Sequence, residues 1–291
     1  MARFLTGEQA AGLERSCTGT ARDFIRLAPD GPGFERMEAF FGGHAFDPHR
    51  HDTYALGITL AGVQAFRYRG ARQESVSGHV IALHPDEVHD GEAGAAEGFT
   101  YRMLYLAPDL VTAALAGRAS SLPFAGTAAV SRDASLARAL AAALGDIDRE
   151  PEPLERDQMV LAISEALLAR DPSATTGSGE EAASARAVGL ARDYLMENCL
   201  GAVDSTDLER ETGLDRFRLA RQFRRLCGTS PYRFLTMRRL DHARGLIAAG
   251  SGLADAAADS GFADQAHMTR HFRSAYGLTP GRYRAMRAAA G

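Results

Sequence analysis

The chain of 291 residues contains no lysine; all 33 of its basic residues are arginine. We read that as compositional bias and not as chemistry. It holds only three cysteines, Cys17, Cys199 and Cys227. They are too few and too scattered for a disulfide framework or a cysteine-based zinc site, and isolated reduced thiols are expected. No uncharged apolar run approaches the roughly 18 residues that span a bilayer, so no membrane partner is expected. The first residues lack the basic-then-apolar layout of a secretory signal, which predicts a cytoplasmic protein. What remains is ordinary: 45% hydrophobic and 24% charged residues, in a length that suits two domains.

The net charge of −4 hides a division. Residues 186–291 carry 17 Arg against 11 acids, a balance of +6, while residues 1–185 carry −10. An asymmetry of this kind predicts one half that meets a polyanion and one that does not. Between the halves, residues 171–185 are rich in Ser, Thr, Gly and Ala with no apolar periodicity, and they read as a flexible linker. The expected layout is therefore a first domain over 1–170, a linker over 171–185 and a second domain over 186–291.

In the first domain, residues 20–107 read as short strands broken by Gly, Pro and Asp, the pattern of a sandwich or barrel. Separate strands are expected over 54–62 and 64–70, then at 79–84 and 100–106. Two amphipathic helices follow at about 133–148 (Leu136, Leu140, Leu144, Ile147) and 154–169 (Val160, Ile163, Leu167), separated by Pro151 and Pro153. They predict a helical hairpin whose apolar stripe packs on the barrel or forms a dimer seam.

An internal repeat dominates the second domain. Arg221, Phe223, Arg224, Gly228, Ser230 and Pro231 recur 49 residues later as Arg270, Phe272, Arg273, Gly277, Thr279 and Pro280. The apolar pair Leu219 and Met268 and the aromatic pair Phe234 and Tyr283 keep the same offset. Each copy reads helix, tight glycine turn, helix. A capping box at Thr206–Glu209 starts the first helix near Asp207, and Gly213 ends it. Asp215 then caps a helix from Arg216 to about Cys227, and Gly228 ends that one. Ser230 and Pro231 start a connector reaching about Ala249. In the second copy a helix runs from Leu253 to Ser260, turns at Gly261, and is followed by a helix from Asp264 and Gln265 to about Tyr276.

This is the helix-turn-helix layout, in which the second helix lies in the major groove with its N-terminal side chains on base edges. The candidate DNA-binding residues are Arg216, Phe217, Arg218 and Arg221 in the first copy. In the second they are Gln265, His267, Thr269 and Arg270. Arg can bond guanine in a bidentate manner and Gln can do the same with adenine. Leu219, Phe223, Met268 and Phe272 face the other way and hold the helices on their cores.

The segments at 213–231 and 261–280, with Arg238–Arg244 between them, resemble the DNA-binding domain of the AraC/XylS family of transcriptional regulators. The resemblance covers about 100 residues and implies a seven-helix domain that binds promoter DNA through two recognition helices. It places base contacts at Phe217, Ala220, Arg221, Gln265, Ala266, Thr269 and Arg270, with Ala220 and Ala266 shorter than the polar residues of some members. The first domain is similar to the family's cupin-like effector domain, through His49-Arg-His51, Tyr54, Gly62, Gly78 and the run from His84 to His89. The fold class this gives is α+β in two domains: a cupin-like β-barrel with a helical hairpin, then an all-α domain with two helix-turn-helix motifs.

His49, His51 and His89 fit three positions of a metal-binding cupin, but the expected glutamate would fall at Ala55 or Leu56, and neither can ligate. The expectation is therefore no metal and no cofactor, with His49, His51, Tyr54, His89 and Tyr101 as candidate effector-binding residues. Tyr101 and Arg102 alternate on one strand, so at most one of them faces the pocket. The function expected is a non-enzymatic, sequence-specific transcription factor whose promoter binding answers to a small-molecule effector. It would act as a homodimer, with RNA polymerase as a partner if it activates. The alternative is a metal-dependent cupin enzyme or sensor with an appended DNA-binding domain.

Overall fold

The structure is a computed structural model that describes residues 3–5, 24–31, 33–116, 118–126, 128–174, 179–276, 279–281 and 284. Among the described residues the N-terminal half holds ten strands: β1 (Arg3–Leu5), β2 (Phe24–Leu27), β3 (Phe34–Phe41), β4 (His44–His49), β5 (Tyr54–Tyr68), β6 (Ala71–Val76), β7 (Val80–Leu83), β8 (His89–Ala93), β9 (Phe99–Leu106) and β10 (Val130–Ser131). Three helices belong to the same half: α1 (Pro108–Ala114), α2 (Ala134–Leu144) and α3 (Pro153–Arg170). Six follow: α4 (Gly179–Glu197), α5 (Ser205–Thr212), α6 (Arg216–Cys227), α7 (Pro231–Ala248), α8 (Leu253–Asp259) and α9 (Gln265–Tyr276).

The strands form two antiparallel layers that share β5. One layer runs β1-β2-β3-β9-β5-β7-β10; the other places β8 between β4 and β5, with β6 on the far side of β5. The two strands expected over 54–70 are one strand of 15 residues. Its first part pairs with β9 and β7, and its second part with β6 and β8. The change of partners falls at a bulge between Thr59 and Ala61 and at Gly62, whose φ is +71°. A bulge of that kind adds twist and lets one strand serve two sheets, where sequence alone read a break. The expected barrel is not closed among the described residues.

A Cβ on Gly62 would sit 1.9 Å from the Gly98 carbonyl oxygen. Gly62→Ala is therefore expected to cost roughly 1–3 kcal/mol in backbone conformation, with a backbone clash added. Thermal denaturation of the variant checks this; a melting temperature equal to the parent's would contradict the corner assigned to Gly62.

Side chains of the two layers meet in a core that includes Met37, Phe41, Phe66, Phe99, Tyr101 and Met103. The opposite face of the larger layer is covered by α1, α2 and α3 through Tyr54, Leu56, Leu104, Leu136, Leu140, Ile163 and Leu167. The helical hairpin stripe thus packs on the sheet. Leu154 and Leu161 of α3 stay exposed, at 71% and 41%. Two arginines on neighbouring strands close the end of α2. Arg36, 3% exposed, donates to the carbonyls of Ala143, Asp146 and Arg149 while paired with Asp30 at 2.8 Å. Arg102 donates to Leu144 O and Gly145 O while paired with Glu38. Both place positive charge where helix carbonyls lack partners.

The linker expectation needs adjustment. Residues 172–174 form a short 3₁₀ turn, and α4 begins at Gly179, so residues 179–185 are helical. Glu180, Glu181 and the alanines around them are helix formers with acid near the N-terminus, and that outweighs the Gly/Ser character of the preceding stretch. Residues 175–178 lie outside the described residues.

The expected starts and stops of the C-terminal helices hold with one exception. Asp204, not Thr206, caps α5, accepting from the Thr206 and Asp207 amides, while Asp207 reaches back to the Asp204 amide. Gly213, Gly228 and Gly261 all have positive φ. Asp215, Ser230 and Asp264 each accept an amide at the start of the next helix. The helices α6 and α9 begin and end 49 residues apart, the offset of the repeat. Each has its own small core: Leu219, Phe223 and Leu226 with Val188, Leu195 and Leu235, and Met268 and Phe272 with Met237, Leu240 and Phe262. Gly277 and Tyr283 lie outside the described residues, as does most of the seventh helix that the resemblance implied.

Candidate DNA interface and effector cavity

Arg221 and Phe223 differ by two positions on α6, so one faces outward when the other is buried. The structure bears this out. Arg216, Phe217 and Arg221 on α6 are exposed, as are Gln265 and Arg270 on α9, while Phe223 and Phe272 are fully buried. Phe217 is 64% exposed. The Arg216 guanidinium lies 5.1 Å from its ring. Arg218 and Thr269 are half-buried. Ala220, also half-buried, and Ala266, exposed, offer no polar group there.

His267 is half-buried as well. Its ring packs on Phe262, and its Nε2 lies 3.0 Å from Nε2 of His271, one turn along the same helix. The connector α7 joins the two units over 18 residues, about 27 Å at 1.5 Å per residue. That is close to the spacing of successive major-groove faces, about 34 Å.

The cavity between the sheets is lined by Phe46, His49, Gln64, Phe66, His89, Asp90, Tyr101, Met103 and Tyr105, among others. Its volume is about 20 Å³, room for one small species and not for a bulky one. Of the five effector candidates, His49, His89 and Tyr101 reach it directly, and His51 stands against Tyr105 with ring centroids 5.1 Å apart. Tyr54 does not reach it. Strand alternation puts Ala55 on the cavity side, whereas Tyr54 is fully buried under the helices, its hydroxyl donating to Pro123 O at 2.6 Å. Of Tyr101 and Arg102, Tyr101 faces in.

His49 and His89 are cross-strand partners on β4 and β8, and His51 follows on the β4–β5 loop. Burial holds all three imidazoles below their ordinary range, His51 down to about 3, with neighbouring histidines adding to the effect at His51 and His89. They are therefore neutral at neutral pH.

The same corner of the sensor grips the helical half, which no local pattern announced. Arg233 of α7, 9% exposed, donates to Arg50 O at 3.1 Å and lies 3.5 Å from Asp86. Arg238 pairs with Asp52 at 2.7 Å, and Thr229 donates to Asp86 at 3.1 Å. Arg50 and Asp52 flank His51, and the Asp86 amide donates to the His51 carbonyl at 2.8 Å. The helix α9 rests against β4 and α6 against α1, leaving Arg216, Arg221 and Arg270 in solvent.

Two family models match the chain: an AraC-like ligand binding domain over residues 31–163 and a helix-turn-helix domain over residues 208–286. An uncharacterized HTH-type transcriptional regulator of Bacillus subtilis, YbfI, is 27% identical over 229 residues, covering 77% of this chain and 81% of that protein. ToxT of Vibrio cholerae superposes with a TM-score of 0.61 at 12% identity, over 87% of this chain and 98% of that one. A second ToxT structure, bound to an unsaturated fatty acid, superposes with a TM-score of 0.56 at 12% identity over 88% and 96%. At that identity the likeness is one of fold. Among the described residues no helix is long and apolar enough to cross a membrane. Both domains are matched in this order: the chain pairs an N-terminal AraC-like ligand-binding domain with a C-terminal helix-turn-helix DNA-binding domain, the make-up of an AraC-type transcription regulator.

Proposed function

We propose that α6 and α9 enter successive major-groove segments of promoter DNA, and that a small molecule in the inter-sheet cavity changes how the pair is held. The sensor occupies residues 1–170, and the DNA reader extends from α4 onward. Arg221 and Arg270 supply the main base contacts, supported by Arg216, Phe217, Arg218, Gln265 and Thr269. The single observation that carries this reading is the placement of exposed arginines on two helices exactly one repeat apart, each on its own buried phenylalanine. A plain helical bundle has no need of that duplication.

Effector contacts fall to Tyr101, His49, His51 and His89, with Phe46, Phe66 and Met103 as the apolar wall. The unsaturated fatty acid bound to ToxT gives one chemical class to test, although a cavity of about 20 Å³ must widen to admit a chain of that length. A homodimer forms across the outer face of α3, where Leu154 and Leu161 lie seven residues apart and exposed. The regulator contacts RNA polymerase if it activates. We propose no enzymatic activity.

Genome-wide mapping of bound DNA tests the DNA reading. It is expected to return a small set of promoters sharing a repeated half-site, and an even spread over the genome would contradict it. Binding to a recovered fragment should weaken as salt rises, because arginine–phosphate contacts release counterions. Leu154→Glu with Leu161→Glu is expected to turn the dimer into a monomer in light scattering. A parent that is already monomeric at working concentration would remove α3 from the account.

A further inference from the structure

The inter-sheet cavity has hydrogen-bond acceptors in its wall and no cation to match them. Gln64 and Phe66 stand two apart on β5 and turn the same way, into the cavity. Gln64 is 6% exposed, and its Oε1 is buried without a hydrogen-bond partner. Asp90 of β8 brings a carboxylate to the same wall, with Oδ1 accepting the Arg67 amide at 2.6 Å. The imidazoles add acceptors. His49 Nδ1 donates to Asp47 O at 2.7 Å, His51 Nδ1 to Thr53 O at 3.0 Å and His89 Nδ1 to Glu87 O at 2.9 Å. A carbonyl only accepts, so each Nδ1 carries the ring proton and each Nε2 keeps a lone pair. A buried acceptor with no donor is costly, and a ligand that brings a donor removes the cost.

Among the described residues that line this cavity none is arginine, and its histidines are neutral. The arginines of the interdomain contact are held by Asp86 and Asp52. A carboxylate ligand would therefore meet Asp90 and unpaired acceptors, with no counter-charge. A cation would meet the opposite. Phe46, Phe66, Tyr101 and Tyr105 surround the space, and the faces of aromatic rings attract ammonium groups.

We propose that the cavity selects a small organic cation and holds its primary ammonium head against Gln64 and Asp90. This deepens the effector reading of the cavity and rests on it. Size sets the head group. About 20 Å³ holds one water-sized group, which an ammonium matches and a trimethylammonium exceeds. A second cavity, of about 190 Å³, shares Phe66 and Asp90 in its wall and takes the body of the ligand. Its other walls are polar and include Arg72 and Glu92, paired at 2.6 Å. The ligand class is thus a primary amine with a short polar body.

The test titrates the full chain, with a chelator present so that metal plays no part. Four probes of one length differ only at the head: 4-aminobutan-1-ol, butane-1,4-diol, 4-hydroxybutyrate and (4-hydroxybutyl)trimethylammonium. Calorimetry is expected to show the amine binding at one site, at least tenfold tighter than the other three. Gln64→Leu and Asp90→Asn should each weaken amine binding about ten- to hundredfold, the worth of a hydrogen bond to a charged group. Glu165→Gln, at an exposed carboxylate on α3, should leave it unchanged. Without ligand, Gln64→Leu should melt no lower than the parent, because it removes an acceptor that has no partner; a lower melting temperature would make Gln64 structural and overturn its role. Circular dichroism shows which variants fold, and Asp90→Asn decides if Gln64→Leu does not. A parent that binds none of the probes, or binds the anion or the diol as tightly as the amine, would overturn the proposal, as would folded variants that bind the amine as the parent does. Tight binding of the anion would leave the effector reading standing. A flat thermal-shift screen across all classes of metabolite would remove both.

Discussion

Replacing Arg221 and Arg270 together by alanine is expected to abolish specific promoter binding while leaving the fold intact. Each arginine projects from the solvent-facing side of its recognition helix, and neither lies in the core that holds that helix. A bidentate arginine–guanine contact discriminates by about 1–3 kcal/mol. The two sit on separate helices with separate cores and share no partner, so their losses should add, giving roughly 10²- to 10⁴-fold weaker binding for the pair. Each single variant should relax preference at its own base pairs, about ten pairs from the other's. Quantitative gel shifts on the parent's promoter and on single-base variants of it measure both effects. Thermal denaturation should show no change, since exposed substitutions away from special features stay within about 0.5 kcal/mol. A double variant that binds the promoter as the parent does would mean that the assigned helices do not read it.

Asp86→Asn is expected to loosen the grip between sensor and reader. Asp86 has a φ of +62°, a conformation that Asn also tolerates, so the substitution changes charge more than backbone. Its carboxylate is 6% exposed and lies beside the 9% exposed Arg233. Burial, with Arg50 nearby, already draws the Arg233 guanidinium down from its ordinary range. Taking away the carboxylate leaves that charge buried with less compensation, and breaking a buried pair in this way typically costs about 3–5 kcal/mol. For a chain of this size each kcal/mol is worth about 2–4 °C, so the melting temperature should fall by roughly 6–20 °C. The Asp86 backbone amide, which the substitution keeps, ties this contact to the His51 carbonyl beside the cavity, so loosening the carboxylate's hold on Arg233 should weaken the effect of a cavity ligand on DNA affinity. An unchanged melting temperature together with an unchanged effector response would show that this contact does not link the two halves.

Much of the reader was legible because its signals are local and occur twice. A glycine at each left-handed stop, an aspartate or serine at each cap and a buried phenylalanine at a fixed offset agree with one another, and they located α6 and α9 to the residue. Where one local signal competed with another, the reading slipped by a few residues. Asp204 outcompeted Thr206 for the α5 cap because its carboxylate reaches two amides at once. Glu180 and Glu181 start a helix inside a stretch whose composition resembles a linker. In the sensor, the period of two put at most one of Tyr101 and Arg102 in the pocket without saying which, and it could not say which face of β5 is the cavity side; Tyr101 faces in, and Tyr54 lies beneath the helices. The interdomain contact was out of reach altogether. Asp86 meets Arg233 across nearly 150 positions of sequence, and neither stands in a pattern that points to the other. The histidines were visible as a set. What sequence could not supply was the three backbone carbonyls that fix their tautomers.

Footprinting of the bound promoter fragment tests the central claim most directly. Two recognition helices held by α7 should protect two major-groove segments on one face of the duplex, about 10–10.5 base pairs from centre to centre for each bound chain. A single protected segment per chain, or two on opposite faces, would contradict the paired reading by α6 and α9.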